Sequence, residues 1–135
     1  MISIQMSRRK PESLRQELDQ LLGELGRLAR TFTSRSPLWE GNVYLLRRRC
    51  GRPNCHCAEG DLHTTPVLSD RTGASPRTVT LKGKDVERFR QMTESYRRFR
   101  EARAQVTKIT KRILHIVDQL GNIRLKQGLK HRKRE

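Results

Sequence analysis

All three cysteines of this 135-residue chain, Cys50, Cys55 and Cys57, fall within one short run, and His63 follows close behind. Three thiols and an imidazole match the four N or S donors that a tetrahedral Zn²⁺ takes in a closed structural site. Gly51, Pro53 and Asn54 are turn formers, so the stretch between Cys50 and Cys55 can fold back on itself and bring backbone N–H groups toward sulfur. A disulfide framework fits poorly: three is an odd number, and a bridge from Cys55 to Cys57 would be strained. A catalytic thiol needs one cysteine beside a base, and two further cysteines at the same turn argue against that use. For the fourth ligand both His56 and His63 stand within reach. His63 is preferred because a short loop lets it return to the thiolates, whereas His56, wedged between two ligand cysteines, reads as a surface residue or a phosphate contact.

Such a staple is needed, because 33% hydrophobic and 4% aromatic residues cannot bury a large core at this length. Charge is the other outlying property. Thirty Lys and Arg against fourteen Asp and Glu leave a net +16, which repels itself unless a polyanion or counterions lie nearby. Nucleic acid is the expected partner, with DNA favoured over RNA. No stretch reaches the ~18 apolar residues of a membrane span, and leucines alternate with charges where a signal peptide would be apolar, so a cytoplasmic protein with no membrane partner is expected.

Along the chain, residues 1–12 read as a flexible basic N-terminus. Leu14, Leu18, Leu21, Leu25, Leu28 and Phe32 then step by four and three, a heptad seam that predicts a helix over 13–33. Pro11 suits a first turn, and Glu12, Glu17 and Asp19 suit the positive helix end. Gly23 and Gly26 weaken this helix by about 1 kcal/mol each, so it needs a partner. Residues 33–42 read as a loop. A β module over 43–82 holds short strands at 43–46, 66–69 and 77–81, with a hairpin loop at 70–75 around Gly73. A long helix is predicted over 84–121, with Phe99, Ala102, Val106, Ile109, Ile113, Ile116 and Leu120 as its seam. Upstream, Val86, Phe89, Met92 and Tyr96 share a side, but the step through Phe99 to Ala102 breaks the rhythm, where the helix leaves the sheet and begins to pair with a helix. Gly121 and Asn122 are expected to end it, leaving 122–135 as a disordered basic tail.

The prediction is therefore an α+β chain: a small zinc-stabilised three-stranded antiparallel sheet flanked by two long helices forming an antiparallel coiled coil. The seams can pair within one chain or between chains, and the surplus length of the second favours a homo-oligomer.

Arg90, Arg97, Arg100, Lys108 and Lys111 form a stripe on the side of the long helix away from its seam. Between positions 86 and 112 nine Lys or Arg face three acids, too few to neutralise them along the helix. Arg47, Arg48, Arg49 and Arg52 cluster at the metal turn, where guanidinium groups can offset the net negative charge of a Cys₃His zinc centre or clamp phosphate. Lys130, Arg132, Lys133 and Arg134 add cations at the end. Trp39, Tyr44 and Tyr96 are stacking candidates with an equally good claim to the core, so backbone contact is expected ahead of base reading.

These residues resemble a family of short, functionally unassigned bacterial proteins, often encoded on mobile elements, that share Cys-Gly-Lys/Arg-Pro-Asn-Cys-x-Cys, a following Gly and His, a strand pair and a helix with a Tyr-x-x-Phe step. Here these are Cys50 to Cys57, Gly60, His63, residues 77–81, and Tyr96 with Phe99. The resemblance covers about 43–100. Thr64, Thr65, Pro66, Val67 and Leu68 stand where the family pattern has Gly-Pro and aromatics. Metal ligation by Cys50, Cys55, Cys57 and His63 is what the resemblance implies, and its context points to an accessory of a transposase or integrase. No enzymatic role is expected: Glu59 and Asp61 alone are too few acids for a two-metal nuclease, and a closed Cys₃His site has no open position for water.

Overall fold

The structure, a computed structural model, describes residues 9–134. Residues 1–8 of the expected flexible N-terminus, and Glu135, lie outside the described residues. The elements run α1 (Pro11–Thr33), β1 (Gly41–Arg48), a single 3₁₀ turn (His56–Glu59), β2 (His63–Asp70), β3 (Arg77–Thr80) and α2 (Lys84–Arg134). The chain is thus α+β, with a three-stranded antiparallel sheet and two helices. Two compact units are present: residues 34–101, and α1 together with α2 from Ala102 onward. The boundary falls where the apolar rhythm of α2 changes between Phe99 and Ala102.

In the first unit the strand order is β1-β2-β3, so β2 is central. The pairing of β1 with β2 runs from Gly41↔Asp70 to Arg48↔His63, two residues further at each end than the apolar stretch 43–46 predicts. Polar Asn42, Arg47 and Arg48 join the strand because a ladder is made by backbone groups, which every non-proline residue carries. Pro66 sits inside this central strand, a position that normally excludes proline. Its carbonyl accepts from the Leu81 N–H at 2.9 Å on the β3 side. A strand residue presents N and O to the same neighbour, so the absent N–H falls at the margin where β3 ends, and no bond to β1 is lost. Val67, Leu68 and Leu81 form the buried apolar centre.

Asp70 closes this unit. Although only 2% exposed, its carboxylate accepts from the Thr72 hydroxyl (2.6 Å) and N–H (2.9 Å), the Arg77 Nε (3.0 Å) and the Trp39 Nε1 (3.2 Å). The Thr72 bonds, with those from Arg77 and Trp39, hold its pKa down to about 2. Trp39 in turn meets Phe89 of α2 edge-on, with ring centroids 5.0 Å apart, and its N–H donates to the Met92 carbonyl. A buried carboxylate is stable only when its lone pairs are filled, and here they are.

The second unit follows the two seams. Leu14, Leu18, Leu21, Leu25, Leu28 and Phe32 are each buried or half-buried, while Leu22, off the seam, is exposed. On α2, Ala102, Ile109 and Ile116 are buried and Val106, Ile113 and Leu120 half-buried. Arg112 makes a two-pronged pair with Glu17 of α1 (2.8 and 3.0 Å), and Arg9 also bonds Glu17.

The sequence places the end of α2 at Gly121, and the structure corrects this: the helix continues to Arg134, so 122–134 is helical rather than a disordered tail. A glycine ends a helix by adopting positive φ. Among the described residues only Gly51, Gly60 and Gly83 do so. Gly121 stays helical, and half-buried Ile123 carries the seam one step past Leu120.

Candidate metal centre

The segment joining β1 to β2 carries Cys50, Cys55 and Cys57, and His63 opens β2. Pairing of Arg48 with His63 brings the two strand ends together, so Cys50 and His63 enter the site from adjacent strands. Gly51 (φ 82°) turns the chain back after Cys50, and Gly60 (φ 122°) ends the 3₁₀ turn that presents Cys57. Both conformations are strained for any residue with a Cβ. The Cys55 N–H donates to the Arg52 carbonyl and the Ala58 N–H to the Cys55 carbonyl, so the loop is tied by its own backbone.

The sulfurs of Cys50, Cys55 and Cys57 and a ring nitrogen of His63 all lie within 4.8 Å of one another. Cys50 and Cys57 sulfurs are 3.5 Å apart, and Cys55 Sγ is 3.1 Å from His63 Nε2. Donors on a tetrahedral ion with bonds of about 2.3 Å to sulfur and 2.0–2.1 Å to nitrogen stand roughly 3.5–3.8 Å apart. The four groups are therefore spaced to hold a metal ion. His56 is not one of them: although its Nδ1 is 3.8 Å from Cys55 Sγ, its side chain is exposed and it falls outside the set of donors that all lie within 4.8 Å of one another.

Electrostatics agree with this use. The Arg52 N–H and then the Cys57 thiol draw the Cys50 pKa down to about 6. At Cys57 the Cys50 N–H (3.4 Å) favours thiolate, but burial and the neighbouring Cys50 and Cys55 sulfurs outweigh it and push the thiol up. Three sulfurs this close cannot all ionise unless a cation shares the space.

Every arginine and lysine that the sequence offers as a nucleic-acid contact is exposed. Arg47 and Arg48 end β1, and Arg49 and Arg52 follow in the metal loop. Arg48 and Arg49 line a cleft of about 480 Å³ with Cys50, His63 and Thr65, and neither makes an ion pair among the described residues. Lys108, Lys111, Lys130, Arg132, Lys133 and Arg134 stand on the outer surface of α2, likewise without ion pairs. Three others depart from a free basic stripe. Arg90 pairs with Glu87 (3.3 Å), Arg97 donates to the Asn42 side-chain oxygen (3.3 Å), and Arg100 lines a second cleft.

Sequence reasoning missed Asp70, read as a loop residue, and Arg71, which lines that second cleft with Tyr44 and Tyr96. Only the Asp70–Thr72 spacing, an Asx-turn pattern, signalled the first in advance. Trp39 is structural, held by Asp70 and Phe89. No helix is long and apolar enough to cross a membrane among the described residues. Comparison with family models, with curated proteins and with solved structures finds no match to this chain.

Proposed function

We propose that the protein is a zinc-stabilised nucleic-acid-binding accessory, favouring DNA over RNA, that positions a strand for a recombinase or transposase and does no chemistry itself. One observation carries the reading: Arg48 and Arg49 line a cleft with Cys50 and His63, and they and the nearby Arg47 and Arg52 are exposed and without ion pairs among the described residues, in a chain of net charge +16. Bidentate guanidinium groups suit phosphate oxygens, and a cleft lined by Arg48 and Arg49 focuses their potential. Zinc is the metal of choice for three thiolates and an imidazole, which fill all four positions of a tetrahedral ion. The resemblance to mobile-element proteins supplies the recombinase context.

Fluorescence anisotropy with labelled duplex and single strands, of DNA and RNA, tests it. Affinity should fall linearly with salt on logarithmic axes, and replacing Arg48 and Arg49 together by Gln should reduce the slope by about two. If none of the four strands binds the metal-loaded protein at low salt, the reading is wrong.

A second reading, a module that docks a partner through its helices, has its own support. Leu114, Val117, Leu125 and Leu129 are 57%, 45%, 69% and 57% exposed on one stripe of α2. A complex that survives high salt favours this reading, because apolar contact is not weakened by added ions.

A further inference from the structure

Within the unit formed by residues 34–101, a cleft of about 450 Å³ lies between the sheet and the first part of α2. Its floor is one face of the sheet: Asn42 pairs with Ser69 and Tyr44 with Val67, and directly opposed residues in antiparallel strands project to the same side. Its wall is one face of α2, where Thr93, Tyr96, Arg97 and Arg100 recur at helical spacing. Arg71 reaches it from the end of β2, where its N–H bonds the Glu40 carbonyl (3.0 Å) and ties the two rim residues together.

The charge in this cleft is unbalanced. Arg71, Arg97 and Arg100 face one acid, Glu40, so three positive charges less one negative leave +2. Arg71 and Arg100 have no ion pair among the described residues, and Arg97 has only the neutral Asn42 amide. Arg9 and Arg112, by contrast, converge on a carboxylate, that of Glu17. Guanidinium groups gathered on a concave surface attract a polyvalent anion. Two phenol rings, Tyr44 and Tyr96, line the same space, and rings beside arginines are what a planar base stacks on. The volume suits one small ligand.

We propose that this cleft binds one nucleotide unit, with its phosphate on Arg71, Arg97 and Arg100 and its base against Tyr44. A duplex does not qualify, because its bases are stacked inside. The unit comes either from a single strand or from a free mononucleotide. The single-strand case rests on the proposed function; the mononucleotide case does not.

The test uses the full, metal-loaded protein titrated with a short oligo-dT, with dTMP and with inorganic phosphate, followed by ¹H–¹⁵N spectra. The oligonucleotide should shift the Asn42, Tyr44 and Arg97 amides. Arg71→Gln and Arg100→Gln should each weaken it about tenfold, as loss of a charge-assisted hydrogen bond does. Tyr44→Phe should bind like the parent and Tyr44→Ser should not, with metal content and circular dichroism unchanged in all four variants. Binding of dTMP as well as oligo-dT identifies a free-nucleotide site, and of oligo-dT alone a strand site; both support the cleft. Phosphate binding as tightly as dTMP, or Arg71→Gln, Arg100→Gln or Tyr44→Ser binding like the parent, overturns it. If the cleft variants leave duplex binding at Arg48 and Arg49 intact and lose no oligonucleotide affinity, the cleft proposal fails while the proposed function stands. If dTMP binds but no strand does at low salt, the proposed function fails and the cleft stands.

Discussion

The metal loop and the helical seam solve the same shortage of apolar surface in opposite ways. Where β1 passes to β2, four donor side chains lie within 4.8 Å of one another, so the proposed metal would concentrate stabilisation in one cluster. Along α1 and the later part of α2 it is spread over a dozen apolar side chains, of which Leu14, Ala102, Ile109 and Ile116 are buried. A concentrated device fails all at once when one ligand is lost, whereas a distributed one fails by increments. That contrast also separates the charges: the loop leaves its arginines for outside use, while the seam consumes Arg9 and Arg112 on Glu17.

The sharpest way to break the comparison is to remove the proposed metal. Structural zinc sites contribute on the order of 10 kcal/mol of apparent binding free energy. Chelation or Cys55→Ser should therefore abolish stoichiometric zinc and hydrogen-exchange protection in β1–β3, while most of the helical signal at 222 nm remains. Simultaneous loss of helix and sheet would show that the two regions are not stabilised separately. Next in size, Ile116→Ala should cost about 2–5 kcal/mol, seen as an earlier thermal transition of the helical signal with zinc content unchanged. Gly60→Ala places a Cβ at φ 122° and should cost about 1–3 kcal/mol, read as weaker zinc affinity in a competition titration with no effect on the helices.

The smallest effect is one of pH. The Arg112 and then the Arg9 guanidinium groups hold the Glu17 carboxyl at about 2, below its ordinary 4.5. A lowered folded-state pKa adds stability that is fully present above 4.5 and is lost as the pH falls toward 2. Arg112 and Glu17 side chains are 42% and 25% exposed, so water and salt screen much of it. Glu17→Gln should flatten the acid limb of the stability curve between those values. An unchanged acid limb would mean that the ion pair gives the helices no pH-dependent support.

Features set by neighbours in sequence were readable in advance. Cys50, Cys55, Cys57 and His63 are tied by loop lengths, and the seams from Leu14 to Phe32 and from Phe99 to Leu120 are tied by helical period. Strand limits were not readable, because Arg47 and Arg48 enter β1 through backbone pairing that their side chains do not advertise. Pro66 looked like the start of a strand and stands in the middle of one, admitted because β3 stops beside it. Gly121 carried the mark of a helix end, yet its effect depended on whether an apolar partner surface continued at Ile123.

Spacing alone singled out the three cysteines, narrowed the fourth donor to His56 or His63, and showed which faces of the helices are apolar, since these follow from local geometry over a few turns of chain. Tertiary structure decided that Asp70 gathers Trp39, Thr72 and Arg77, and that Arg71, Arg97 and Arg100 meet Tyr44 and Tyr96 in one cleft. Those groups are far apart along the chain and are joined only by strand register and by packing of α2 on the sheet, which no local period encodes.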